Sequence, residues 1–371
     1  MAATSFATGG PKAAARSSSA TGNAVNVSER EDLANFISMI SRDETPFLSS
    51  IGKTKATAVF HEWQTDELSP PASSSVAEGT SYATQNAAQT AEPFRTRLGN
   101  YTQINSKTVT VTGTKRAVDQ AGVADEYAYQ LKKRGTELRR DVEFDLVHGW
   151  KNSSGSGTRT FGGFQAWINY SGTGGTTPPT AFNVSSATYA APTNPGGGTC
   201  GTFSTSTSTA TASLTLSQID AAMQAIYENG GKATKLMISP ANRRVFSAKA
   251  QSAGSSSSNA GDGNVRRNVD ADGKLRQSVE IYMSDFGDIM VVPNYVMGIS
   301  NAAPITNLTN AANFSAFVYD PMWFSYASLR PLQEVDLGQL GDSIIGQIVE
   351  EGTLECRNPK GCGLIFGLSG A

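Results

Sequence analysis

Few residues of this chain are of types that do chemistry, and their spacing defeats the chemistry they suggest. Its two histidines are His61 and His148. Neither stands in an HExxH or His-x-His pattern or beside a cysteine, so a zinc set fails for want of ligands. Gly52-Lys53-Thr54 has the ending of a phosphate-binding loop, but the glycine needed five positions earlier is Phe47. Without it the backbone cannot make the anion-cradling turn. Gly231-Lys232 is followed by Ala233 and fails as well. Asp270-Ala271-Asp272-Gly273 opens like a calcium loop, yet Lys274 takes a ligand position and Ile281 stands where a glutamate is required. It reads as a turn. No Gly-x-Ser-x-Gly occurs, Asn-x-Ser/Thr triplets such as Asn169-Tyr170-Ser171 carry no meaning without a secretory route, and the carboxylates are scattered. The expectation is a protein without catalytic residues, cofactor or metal.

The bulk properties point the same way. The 371 residues carry 30 Lys+Arg against 32 Asp+Glu, a formal net charge of −2. A chain whose task is to hold nucleic acid shows a basic excess, because its affinity comes from neutralising phosphates. This balance suits a container better than a reader of DNA, with any DNA contact incidental or confined to a small patch. Hydrophobic residues make up 39%, below the usual globular share, and 37 glycines with Ser/Thr/Ala tracts imply much extended or loop backbone. Cys200, Cys356 and Cys362 form an odd set without a CxxC pair, so reduced thiols are expected. Cys356 and Cys362 flank a turn at Asn358-Pro359-Lys360-Gly361, offset from each other, which disfavours a bridge. Residues 1–27 lack the apolar core of a signal peptide, and no run of about 18 apolar residues occurs anywhere. The expectation is a soluble, unprocessed chain with no membrane partner.

The elements begin after that small, polar arm. Ser28-Glu29-Arg30-Glu31 is a capping box, and Leu33, Phe36, Ile37 and Ile40 follow at helical spacing until Pro46 ends the helix. Residues 56–63 and 107–112 alternate like strands. Between them, from Gln64 to Asn100, the only apolar residues larger than Ala or Pro are Leu68, Val76, Tyr82, Phe94 and Leu98. That is too little for a local core, and the flanking strands predict a two-stranded ribbon projecting from the body. Such a ribbon is marginal alone and requires a surface to lie on. The longest helix is expected over about Arg116–Trp150, with Val118, Ala121, Ala128, Leu131, Leu138 and Val142 as its stripe. On its polar face Lys133–Glu137 and Arg139–Glu143 are spaced as i,i+4 pairs, and Gly122 and Gly135 are its weak points. Residues 169–213 are a Gly/Thr/Ser/Pro-rich insertion. Residues 214–330 mix both element types, as an α+β domain does. A helix from Leu216 stops at Asn229-Gly230-Gly231, Lys235–Ser239 is a strand, and Pro240–Ala250 a helix. Strands follow at Val279–Met283, Asp288–Pro293, Phe314–Tyr319, Ile344–Glu351, Thr353–Cys356 and Cys362–Leu368.

Several runs then stand in a set order. Glu44-Thr45-Pro46-Phe47 precedes Glu62-Trp63-Gln64-Thr65-Asp66-Glu67-Leu68. Asn100-Tyr101-Thr102-Gln103-Ile104 leads to Val111-Thr112-Gly113-Thr114. Glu137-Leu138-Arg139-Arg140-Asp141-Val142-Glu143 and Phe161-Gly162-Gly163-Phe164 come next. Tyr282-Met283-Ser284-Asp285-Phe286-Gly287, Ala327-Ser328-Leu329-Arg330-Pro331 and Glu351-Gly352-Thr353-Leu354-Glu355 complete the order. Together they resemble the major capsid proteins of tailed phages, built on the α+β Hong Kong 97-type (HK97-like) fold, over roughly residues 30–168 and 214–369.

The resemblance implies an N-terminal arm over 1–55, an E-loop ribbon over 56–113 and a P domain with a long spine helix over 114–168. It implies an A domain over 214–324, and C-terminal strands over 325–371 returning to the P domain; the insertion 169–213 falls outside it. It implies an icosahedral shell enclosing a double-stranded DNA genome in the virion, assembled in the host cytoplasm. The implied partners are other copies in pentamers and hexamers, a portal, and scaffold or decoration proteins. Candidate inter-subunit anchors are Trp63, Leu68, Phe94 and Arg97 on the ribbon with Phe36 and Phe47 on the arm, each weighed against packing within its own chain. An encapsulin-like nanocompartment shell is the alternative. A surface-layer or tail-fibre protein would call for repeats and a secretion signal, and an enzyme ranks last.

Overall fold

The computed structural model describes residues 41–66, 68, 71, 73, 75–81, 95–118, 122–149, 158–168, 214–251, 280–298, 316–339 and 341–365. The capping-box helix at Ser28, Phe36, Phe94, Cys200, the insertion 169–213 and the Asp270 turn lie outside them. Residues 39–119 and 125–371 form one compact unit; a second, 1–38 with 120–124, contributes Gly122–Ala124 to the described residues.

The elements run α1 (Pro46–Ser50), β1 (Gly52–Lys55), β2 (Phe60–Thr65), β3 (Thr96–Tyr101), β4 (Gln103–Thr112) and α2 (Gly113–Ala117). Next come α3 (Glu126–His148), α4 (Phe164–Ile168), α5 (Leu216–Glu228), β5 (Lys235–Ile238) and α6 (Pro240–Gln251). The last are β6 (Ile281–Ser284), β7 (Gly287–Pro293), β8 (Ala316–Tyr319), β9 (Phe324–Leu337), β10 (Ser343–Cys356) and β11 (Gly363–Ile365). Among the described residues they make three sheets, ordered β1-β9-β10-β4, β11-β8-β5-β7-β6 and β2-β3.

The long helix is shorter than the sequence pattern predicts. Gly122 takes φ +81°, outside the helical range and unfavourable for a side chain with Cβ. The Asp125 carboxylate then caps a new start, accepting from the Tyr127 N–H at 2.9 Å. What forms is the five-residue α2 and the 23-residue α3, the latter about 35 Å long at 1.5 Å per residue. Neither expected i,i+4 pair forms: Glu137 pairs with Arg134 at 2.6 Å, and Glu143 turns inward. Pro46, expected as a helix stop, is instead the first residue of α1, where its missing N–H costs nothing. The predicted stop of α5 is observed, with Gly230 at φ +76°.

The four-stranded sheet has two unlike faces, because side chains alternate along a strand. Register places Val109 and Val111 of β4 beside Gly346 and Ile344 of β10, and α3 lies against β4 and β10. A Cβ at Gly346 would land on the Tyr127 hydroxyl, so a glycine there lets the helix approach. The opposite face carries Ile104, Thr108 and Thr110 of β4, Gln347 and Ile345 of β10, and Val335 and Leu337 of β9.

The five-stranded sheet is covered on both faces. Leu236, Ile238, Ala316 and Val318 join one core with Ile219, Met223 and Phe246. Met237, Phe317, Tyr319 and Leu364 join another with α1, the end of α3 and α4. At its centre Phe47, Phe164, Tyr319 and Phe324 meet with ring centroids 5.0–5.9 Å apart, mostly edge to face.

Candidate assembly site

The ribbon begins at a rigid root. Strands β2 and β3 pair antiparallel with His61 opposite Asn100 and Trp63 opposite Leu98, which puts these four on one face. That face is bolted to the body. Trp63 Nε1–H donates to the Cys356 carbonyl at 2.9 Å, and its ring lies 5.3 Å from that of Trp167. The buried Asn100 amide donates to the carbonyls of Gly162 and Leu354, both at 2.9 Å, while its oxygen accepts from the Gly162 N–H at 2.9 Å. One side chain thus ties β3, the Phe161–Phe164 turn and β10 together. On the other face the Phe60 ring covers Gly99, where any Cβ would collide with it. There Glu62 and Arg97 meet at 3.6 Å in the open.

Beyond the root the described ribbon residues other than the half-buried Thr80 are exposed, Leu68 at 97% and Val76 at 55%. Arg95 and Asp66 form a solvent-facing pair at 3.3 Å, worth little in that setting.

Three buried carboxylates hold the root, α1 and β1 to the body. Glu351 of β10 bridges Arg159 at 3.0 Å and Arg330 at 2.8 Å and accepts from the Thr102 hydroxyl at 2.9 Å. Glu355 takes Arg357 at 2.9 Å and the Thr54 hydroxyl at 3.1 Å. Glu143 of α3, fully buried, accepts from the backbone N–H of Phe47 at 2.9 Å, of Leu48 at 2.7 Å, and from the Asn294 amide at 2.8 Å. It therefore satisfies the open N–H groups of α1 and links that helix, α3 and the residue after β7. Burial pushes the Glu143 carboxyl above its ordinary range, and its three donors pull it partly back.

Two residues on, burial raises Asp145 to about 7, opposed by the Gln103 amide at 2.7 Å. His148, buried with Nε2 3.3 Å from the Val296 carbonyl, is pushed down to about 4 by the same desolvation. At the far end of α3 the Tyr127 hydroxyl donates to Glu334 at 2.8 Å, and burial first, that carboxylate second, raise it to about 12.

These positions sort the expected anchors. Phe47 is corrected: it is fully buried inside its own chain among three aromatic rings and has no surface left for a neighbour. Trp63 is partly buried at the root and packed on its own chain, Arg97 is exposed beside it, and Leu68 stands free. Glu143 was legible only as a surface partner of Arg139, although positions 143, 146 and 147 share a helical stripe with the apolar Leu146 and Val147. Cys356 and Cys362 are both buried, with no disulfide between them. Among the described residues no group of three or more His, Cys, Asp or Glu is placed to hold a metal, and no helix is long and apolar enough to cross a membrane.

A family model described as SU10 major capsid protein matches residues 16–369. The major capsid protein of Escherichia phage Phieco32 is 36% identical over 117 residues, 31% of this chain and 32% of that relative, so the match spans about a third of its length. Among solved structures, the capsid of a native GTA particle superposes with a TM-score of 0.54 at 13% identity, covering 94% of this chain and 100% of that one. The capsid of cyanophage P-SCSP1u gives 0.52 at 13% identity, covering 93% and 95%. The mature capsid of bacteriophage PhiM1 gives 0.52 at 12% identity, covering 91% of each. At such identities the superpositions speak for the fold, which is HK97-like.

Proposed function

The chain belongs to the SU10 major capsid protein family, and from that premise we propose that copies of it tile the shell of a tailed-phage head around double-stranded DNA. The observation that carries this reading is the ribbon: a root locked by Trp63 and Asn100, and beyond it side chains that their own chain leaves exposed. A ribbon of this kind gains stability only from another surface. A copy that lends its ribbon to one neighbour and receives one from another makes heterologous contacts, which close into rings. Modest contacts then suffice, since each copy engages several neighbours at once.

In this reading residues 1–55 are the arm, and α3 is the spine of a P domain. Residues 214–324 make an A domain, completed by β11 from the C-terminal strands. The expected ribbon limits, 56–113, include β4, but β4 pairs with β10 along its length and is part of the P-domain sheet. The subunit works by packing rather than by catalysis. Pentamers and hexamers, a portal, scaffold or decoration proteins and non-specific contact with packaged DNA complete the proposal, with the virion as its place and the host cytoplasm as the site of assembly.

Electron microscopy of the purified full-length protein tests it. Closed shells of uniform diameter are expected. A species that stays monomeric by light scattering at every concentration and salt condition tried would refute it.

A further inference from the structure

The two sides of the four-stranded sheet differ in charge as well as in cover. Its open face, which nothing overlies among the described residues, carries no charged side chain between Ser343 and Val349 of β10 or beside them on β4 and β9. On the other side lies α3, and the outward surface of that helix is basic. Residues 132–140 (KKRGTELRR) hold five Lys+Arg against one Glu, and no stretch of nine residues outside them holds more than three. Glu137 is taken up by Arg134 at 2.6 Å, and the adjoining Asp141 by Lys107 at 2.6 Å. Lys132, Lys133 and Arg139 are exposed and make no close ion pair among the described residues, while Arg140 lies 5.9 Å from the centre of the Tyr295 ring. At longer range the buried Glu126 draws on Lys133, and the half-buried Glu350 on Arg139.

We propose that the outward side of α3 is where the subunit meets packaged double-stranded DNA, with Lys132, Lys133 and Arg139 on its phosphates. The inference rests on the shell-forming reading and deepens it, since it turns α3 toward the lumen and the open sheet face away from it. At 3.6 residues per turn these three, with Thr136 and Arg140, fall within about 120° of arc. Lys132 and Arg139 stand about 10 Å apart along the helix axis, close to three phosphates of one strand at about 3.4 Å each. A rod of negative charge can therefore lie along the helix instead of touching it at one point. Composition favours nucleic acid over an acidic protein. Protein interfaces gather aromatic and apolar anchors and avoid lysine, and α3 exposes no large apolar side chain. Backbone relief agrees. Gly135 is unfavourable inside a helix, yet a Cβ there would meet nothing within 4 Å, so packing within the subunit does not call for a glycine. Between Lys132 and Arg139 it leaves a low place where a phosphate backbone can come close. Such contacts position DNA through charge and carry no information about its sequence.

Amine acetylation of the wild type tests this without any substitution. DNA-filled particles, particles emptied of DNA and dissociated subunits are pulsed with a soluble acetylating reagent, and Lys132 and Lys133 are read by mass spectrometry. Both are expected to react at least fivefold more slowly in filled than in emptied particles. Equal rates in the two overturn the proposal: if both match free subunits, nothing covers α3, and if both are slow, a neighbouring copy does. Protection confined to DNA-free shells that still hold internal protein also overturns it, in favour of an acidic protein partner. A second measurement compares K132Q/K133Q/R139Q subunits with wild type in binding a random duplex of about 40 base pairs at about 20–100 mM salt. Fluorescence anisotropy should show the variant at least tenfold weaker, with a log–log salt slope shallower by about 2 to 3. Equal affinity and slope refute the assignment. A wild type that forms no particles is a failure of the shell reading, seen by microscopy before any labelling, and duplex binding then still decides whether the stripe holds DNA.

Discussion

Replacing Glu143 with alanine should loosen the arm helix from the body without touching the surface of the subunit. The wild-type carboxylate receives the N–H groups of Phe47 and Leu48 and the amide of Asn294 at 2.7–2.9 Å, in a fully buried position. Asn294 retains a weak contact to the Met237 sulfur at 3.2 Å. The two backbone donors are those of the first turn of α1, which have no partner within the helix. Each buried donor left unsatisfied costs about 1–3 kcal/mol, so the two together set a loss of about 2–6 kcal/mol. Removing a desolvated carboxylate returns part of this, and the net expectation is about 3 kcal/mol, a large share of a stability of about 5–15 kcal/mol. Glu143→Gln keeps one acceptor but turns an NH₂ toward a donor, and should lose roughly half as much. Glu137→Ala on the same helix is the control: its partner Arg134 is 42% exposed, and the loss should stay below about 1 kcal/mol. Urea unfolding followed by tryptophan fluorescence gives the magnitudes, and hydrogen exchange over residues 46–51 gives the location. If E143A unfolds within about 1 kcal/mol of wild type with unchanged exchange in that helix, the carboxylate is not what holds α1.

Two further outcomes follow from the same end of α3. Asp145 stands at about 7 in the folded chain against an ordinary aspartate value of 3.8, so folding favours its protonated form. The stability it supports is complete below about pH 4 and declines as pH rises to about 7, by up to about 4 kcal/mol. Since His148, pushed down to about 4, tilts stability the other way between about 4 and 6.5, the quantity to measure is the difference between wild type and D145N in urea midpoint from pH 4 to 8. A difference that does not change with pH would refute the assignment. The glycines should split in sign. Gly135→Ala adds a Cβ to open space on α3 and should stabilise by about 0.5–1 kcal/mol. At Gly163, by contrast, a Cβ would sit 2.5 Å from the Asp145 carbonyl and 2.7 Å from that of Leu146. G163A should therefore cost about 1–3 kcal/mol in the same unfolding assay, and equal effects at the two sites would count against this packing.

Much of the fold was legible because local pattern and tertiary outcome agree. The turn between β6 and β7, the stop of α5 at Gly230, and the poverty of apolar residues in the ribbon were all visible in residue type and spacing. What was missed depends on partners far away in the chain. Strand β1, Gly-Lys-Thr-Lys, has no strand pattern of its own and exists because it runs parallel beside Ser325–Ser328. Strand β9 contains Pro331 and several charges, and is held by β10 on both sides of a register shift at Pro331. Phe47 looked like an arm anchor because an aromatic next to a proline in an extended segment is apolar and conspicuous, and nothing local reveals which surface buries it. Glu143 failed for the opposite reason: its neighbours in sequence offered an arginine, and the better partners were two backbone N–H groups almost a hundred residues away.

The placement of polar groups separates what is fixed in this subunit from what is left to assembly. Asn100, Glu143 and Glu351 are buried, and each meets two or three partners belonging to different elements, so the ribbon root and α1 are tied to the body. Such groups are costly to disturb once desolvated, which makes them suited to contacts formed once, at folding. The described ribbon residues beyond Thr65 and the open sheet face are built the other way: mostly exposed, small, apolar or hydroxyl side chains with few charges to desolvate. Contacts of that kind are individually weak and tolerate correction, while repetition over many copies makes the whole strong.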